Sequence, residues 1–208
     1  MLTVDEAKTY YHGAESAHDF DHVLRVLALA ERLARAEGAN VAIVRAAALL
    51  HDIARADEDA SGGDHAQMAA ARARAILLAR GVAPAQADAV AHAIAAHRFR
   101  GNTAPQTREA QVLFDADKLD SIGAIGVARA YAVAGALNQR LWGAVAPDAV
   151  ATRDQRNSEH TPVAEFAVKL SQVRERVFTA TARQIADERH AYMATFFARL
   201  EREIRGEL

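Results

Sequence analysis

Along most of the chain, apolar residues recur at three- and four-residue spacing, and strand-like runs of alternating Val, Ile and Thr are missing. Thr3-Val4-Asp5-Glu6 reads as a capping box that opens a short first helix. From His22 to about Glu37, Val23, Val26, Leu27, Ala30, Leu33 and Ala34 fall on one stripe, and Gly38 stops the helix. Asn40 suits the N-cap of a second helix running through Ile43, Val44, Ala47 and Leu50 to His51-Asp52. Polar Asp57–Asp64, with Gly62-Gly63, reads as a loop. Helices are then expected over about His65–Arg80, closed by Gly81, and from Pro84 to near His97. After a loop at Arg98–Thr107, Glu109–Leu119 and Ser121–Arg140 continue the helical pattern. Gly123 and Gly126 lower helix propensity there and point to close packing against another backbone. Trp142–His160 is the least periodic stretch, and Pro162 opens a helical region that reaches the end with one break near Phe178. The expected architecture is all-α. It is a single domain over residues 1–208, with a core at about 16–140 and a C-terminal helical extension at about 160–208.

Composition narrows the chemistry. Half of the 208 residues are apolar, enough for a core without covalent staples. The net charge is −2, so no global field draws nucleic acid or a membrane surface, and neither is expected as a partner. An anionic substrate then needs a local cation. Arg98, Arg100 and Arg108 read as solvated charges or as groups reaching substrate phosphates. The absence of cysteine excludes disulfides, thiolate metal sites and a cysteine nucleophile. The N-terminus MLTVDEAKTYYHG lacks a signal-peptide pattern, and apolar runs such as Ala46–Leu50 are too short to cross a bilayer, so a cytoplasmic location is expected.

Three features among the histidines and carboxylates stand out. His22 opens a helix, His51-Asp52 ends an apolar one, and Asp115, Asp117 and Asp120 close another apolar run. A divalent ion takes imidazole nitrogens and carboxylate oxygens and keeps positions open for water or substrate. Helix ends gather such groups from separate elements. Adjacent residues on a helix diverge by about 100°, yet both can reach an ion at the helix end between them. Taken singly, each feature has a plain structural reading: a helix-start histidine as a cap, or a buried Asp52 paired with an arginine. An aspartate after a buried apolar segment still needs a partner.

The blocks Ser16–Val26, Ala47–Ile53 and Asp115–Arg129, together with Ala182–Phe196, resemble the HD superfamily of metal-dependent phosphohydrolases. They are most similar to its small stand-alone bacterial branch, often called YedJ-like. The resemblance covers about residues 16–200. It implies an all-helical HD-domain bundle with one divalent metal ion on His22, His51, Asp52 and Asp117. Manganese or magnesium is implied ahead of cobalt, nickel, iron or zinc. It further implies hydrolysis of a phosphate ester or anhydride, with a nucleotide as substrate and conversion of a nucleoside triphosphate to monophosphate and pyrophosphate. His65 and His97 resemble positions around the site and are read as phosphate or outer-sphere contacts. Relatives that hydrolyse alarmones carry an acidic pair where this chain has Arg55 and Ala56, which argues against that substrate.

The expected mechanism uses the ion to activate water for in-line attack at phosphorus. Asp120 and His65 are the candidate catalytic groups, while His97, Lys118 and Arg25 are candidate substrate contacts. Asp120 equally suits a capping carboxylate before Ser121. His92, five residues before His97, reads as structural, and His12, His18, His160 and His190 as surface, entry or core groups. A nucleotide-binding sensor and a helical dimerisation module are the alternatives, and the long C-terminal region leaves room for a homodimer.

Overall fold

A computed structural model describes residues 2–11, 20–61, 63–98, 103–145 and 160–208, with the side chains of 59–61 excepted. His12, His18 and Arg100 lie outside these residues, as does much of the aperiodic stretch. The described residues form helices and connecting turns, with no strand among them. They fall into two compact units, Met1–Lys118 with Phe178–Ala182, and Leu119–Val177 with Arg183–Leu208.

In the first unit, α1 spans Val4–Lys8 and carries the expected capping box between Thr3 and Glu6. Helix α2 spans Phe20–Glu37, and its buried residues are His22 and the six stripe positions read from the sequence. Gly38 follows with φ 68°, the left-handed conformation that ends a helix. Helix α3 spans Val41–Leu50, and the Asn40 side chain accepts from the Ala42 and Ile43 N–H groups. Val44, Ala47, Ala48, Leu49 and Leu50 are buried, so α3 is covered nearly all round, against α2 and the later α6. Burying a leucine side chain contributes about 1.5–3 kcal/mol, so this helix end is held firmly.

Residues Arg55–Ser61 form a short helix, α4, where a loop was expected over Asp57–Asp64. The reason is local: Asp57 and Glu58 sit in its first turn, where carboxylates favour the helix dipole. The segment has no apolar stripe to reveal it. Asp64 then caps α5, His65–Ala79, by accepting from the Ala66 N–H. Helix α6 spans Pro84–Ala95 with proline in the first turn, and packs on α5 and α3. Helix α7 spans Arg108–Leu119.

In the second unit, α8 spans Gly123–Ala136, two residues shorter at its start than the pattern suggested. Gly123 has φ 81°, and a Cβ on it would stand 2.9 Å from the Arg189 side chain. A Cβ on Gly126 would collide with the backbone carbonyl oxygen of Ser121, so the two glycines do mark close approach. Helix α9 spans Pro162–Val168 and packs on α8; a 3₁₀ turn over Leu170–Gln172 and α10, Val173–Arg176, follow. The chain breaks at Val177–Thr179 before α11, Ala180–Ile204, as expected near Phe178. Phe166 stacks on Phe197 with centroids 4.9 Å apart.

Candidate metal centre

The first unit brings the separate motifs together through its helix ends. His22 sits in the first turn of α2, His51 and Asp52 follow the last residue of α3, and Asp117 lies in the last turn of α7. His22 Nε2 stands 3.3 Å from His51 Nε2, 3.4 Å from Asp117 Oδ1 and 4.0 Å from Asp52 Oδ2. His51 Nε2 is 3.8 Å from the same Asp52 oxygen. Two donors about 2.1 Å from one ion, at angles of 90–110°, stand about 3.0–3.4 Å apart. The two shorter separations match this, and the two longer ones close with a small inward turn of Asp52. His22, His51 and Asp52 therefore fit a divalent cation, and Asp117 joins them through His22.

Tautomers support the fit. The His51 Nδ1–H donates to the Ala48 carbonyl oxygen at 2.8 Å. Its Nε2 therefore carries a lone pair aimed at His22 Nε2. Burial pushes the His51 imidazole down to about 4, so it stays neutral and ready to ligate in mild acid. Burial opposes ionisation of Asp52, but a proton taken up by the cluster rests on the His51 or His97 imidazole before the carboxyl, whose pKa lies well below its ordinary range. For Asp117 the burial penalty is likewise outweighed, by Lys118 and His22. His51 is fully buried, while Asp117 and Lys118 retain 13% and 16% exposure.

Asp52 also turns outward to a second pair. Its Oδ1 is 3.6 Å from His65 Nε2 and 3.6 Å from His97 Nε2, while Oδ2 serves the first set. His22, His51 and Asp52 form one group that could hold a metal ion, and Asp52, His65 and His97 form another. The His97 Nδ1–H donates to the Ile94 carbonyl oxygen at 2.6 Å, which leaves a lone pair on Nε2 in the neutral ring. Four imidazoles thus meet Asp52, in place of the arginine that a purely structural reading would require. Burial lowers the pKa of His65.

The remaining candidates separate. Lys118 Nζ donates to Asp117 Oδ2 at 2.5 Å, so it neutralises the carboxylate whose other oxygen faces His22. Arg25 follows His22 by three positions on α2 and is half-buried. Asp120 belongs to the second unit, is buried, and lies 3.5 Å from Arg129 Nη1. Asp115 is structural: it accepts from the Phe178 N–H, the Thr179 N–H and the Thr179 hydroxyl at 2.8, 2.8 and 2.7 Å. His92 Nε2 accepts from the Gln106 N–H, His160 pairs with Glu165, and His190 is half-buried beside Phe166. Arg98 pairs with Glu58 and Asp64, and Arg108 with Glu37.

Two neighbours of the site carry no sequence signal. The Tyr11 hydroxyl donates to the Leu49 carbonyl oxygen at 3.0 Å, and burial and the Asp52 charge raise its pKa well above the ordinary range. Glu58 contacts His65, and an acidic residue in a polar segment gives no reason to single it out.

The first unit is all-helical and collects histidine and aspartate from three helix ends, a set of donors suited to a divalent cation. The chain belongs to the HD domain family, whose pattern matches residues 19–122. It is 36% identical to the Bacillus subtilis protein YpgQ over 195 residues, covering 92% of this chain and 86% of that protein. The crystal structure of B. subtilis YpgQ in complex with ADP is similar over 98% of this chain and 99% of that one, with 32% identity and a TM-score of 0.74. An HD-superfamily hydrolase from Bacillus thuringiensis matches over 97% and 94% of the two chains, with 29% identity and a TM-score of 0.73. No described helix is long and apolar enough to cross a membrane.

Proposed function

We propose that this chain is a metal-dependent phosphohydrolase acting on a nucleotide, converting a nucleoside triphosphate to monophosphate and pyrophosphate. One observation carries the reading: the buried Nε2 atoms of His22 and His51 face each other at 3.3 Å with the ionised Asp52 and Asp117 alongside. Such a set is costly unless a cation completes it. His22, His51, Asp52 and Asp117 hold that ion. When bound, it supplies the Lewis acid that polarises the phosphoryl group and makes water acidic enough to attack near neutral pH. His51 contributes a neutral donor whose orientation is fixed by Ala48. Asp117 divides its oxygens between His22 and Lys118, and this keeps Oδ1 turned into the cluster. Lys118 and Arg25 offer positive charge toward the phosphates. The ADP held by the YpgQ relative supports a nucleotide as substrate class.

The second triplet favours a second reading of the metal count. A neutral His97 with its proton on Nδ1 cannot donate to a phosphate oxygen from Nε2, whereas it can hold a cation shared through Asp52. A phosphate contact there requires the imidazolium form.

The test is a screen of nucleotides and generic phosphoesters with manganese, magnesium, cobalt and nickel. It resolves phosphate from pyrophosphate and measures metal per chain. His51→Ala and Asp117→Ala are assayed beside the wild type. Loss of bound metal and of product release is expected in both. Full metal retention by both variants, or tight nucleotide binding with no turnover under any metal, refutes the reading.

A further inference from the structure

The proton of His65, one of the imidazoles around Asp52, is contested. His65 Nδ1 lies 2.9 Å from Glu58 Oε2 and 3.1 Å from Arg55 Nη1, those two partners are 3.0 Å from each other, and the same Arg55 nitrogen is 3.4 Å from His65 Nε2. Two arrangements of hydrogens fit this triangle. In one, the Nδ1–H donates to the Glu58 carboxylate, and Nε2 turns a lone pair toward Asp52 Oδ1, 3.6 Å away. In the other, Arg55 donates to a bare Nδ1, the ring proton moves to Nε2, and the lone pair facing Asp52 is lost. The first arrangement can ligate a cation and the second cannot.

The surroundings favour the first. In the second arrangement the Glu58 carboxylate oxygen faces a bare Nδ1 at 2.9 Å, acceptor against acceptor, whereas in the first it takes the Nδ1–H and still accepts from Arg55 at 3.0 Å. Glu58 is also held in place from its other side. Arg98 Nη2 binds Oε1 at 2.7 Å, and Arg98 Nη1 reaches Asp64 Oδ1 at 3.2 Å. Asp64 caps α5, the helix that begins with His65. Glu58 on α4, Arg98 after α6 and Asp64 before α5 therefore fix one carboxylate oxygen beside one ring nitrogen. We propose that Glu58 is the positioning residue of His65, selecting the tautomer that aims Nε2 at Asp52 against the competing donor Arg55. This rests on the reading of the Asp52 cluster as a cation site.

The experiment reads the tautomer directly, by long-range ¹H–¹⁵N correlation of the histidine rings in metal-free protein at a pH where His65 is neutral. Metal affinity is measured in parallel by competition with a chromogenic chelator. Wild type is expected to carry the His65 proton on Nδ1. Glu58→Ala is expected to move it to Nε2 and to weaken metal binding about 10–100-fold. A wild-type tautomer in Glu58→Ala overturns the proposal. So does a wild-type protein with the proton on Nε2, or unchanged metal affinity in Glu58→Ala. The spectrum needs neither metal nor turnover. A tautomer switch in a protein that hydrolyses no nucleotide therefore refutes the proposed function alone, while an unchanged tautomer in an active hydrolase refutes this inference alone.

Discussion

Replacing His51 by leucine isolates the acid sensitivity of the metal-free site. His51 is fully buried, and its imidazole is pushed down from an ordinary 6.5 to about 4. The unfolded chain therefore binds a proton on this ring between pH 6.5 and 4 that the folded chain refuses, so stability falls as pH drops through that window. At pH 7.5 the contribution is near zero. By pH 5.0 the refused proton costs about 2 kcal/mol. Leucine fills a similar volume, cannot take up a proton, and leaves the Ala48 carbonyl without its ring donor, a pH-independent loss of about 1 kcal/mol. Urea titrations with a chelator present, at pH 7.5 and pH 5.0, test this. The wild type is expected to lose about 2 kcal/mol more than His51→Leu across the interval. That is about 1 M in midpoint at an m-value of about 2 kcal/mol/M. Equal acid losses in the two proteins would show that burial does not hold the ring neutral, and the argument for a preformed ligand would fail with it.

Asp115→Ala strands two backbone N–H groups and a hydroxyl at the start of α11, and is expected to cost about 2–5 kcal/mol by chemical denaturation. Gly126→Ala drives a methyl into the Ser121 carbonyl and is expected to destabilise by about 1–3 kcal/mol. Gly135→Ala, with nothing within 4 Å of the new carbon in the same helix, is expected to stabilise by about 0.4–1 kcal/mol, and thermal melts of the pair read the difference in sign. A divalent ion at about 100 times its dissociation constant is expected to add about 2.7 kcal/mol to the wild type, read as a rise in Tm. It is expected to add none to His51→Leu, and excess chelator should reverse the gain.

Much of the fold was legible because its signals are local. The stripe on α2 and the caps at Thr3 and Asn40 are set by neighbours three or four positions away, and they appear where the sequence places them. The gathering of His22, His51, Asp52 and Asp117 was legible only through the resemblance of their flanking blocks, since no spacing rule brings three helix ends together. Helix α4 was missed because its support comes from charge at its first turn, with no apolar period. The carboxylates at the end of α7 looked alike in sequence, and tertiary partners separate them: Asp115 to Thr179, Asp117 to His22, Asp120 to Arg129. Glu58 and Tyr11 act through contacts that sequence does not encode locally.

The brace between Asp115 and Thr179 also sets an order of assembly during synthesis. Asp115 stands two residues before Asp117 on α7, and its three donors arrive 63 and 64 residues later in the chain. At about 5–20 residues per second, a ribosome takes roughly 3–13 s to supply them. For that interval the nascent chain holds every member of the His22, His51, Asp52 and Asp117 set while the anchor of the helix carrying Asp117 is still being made.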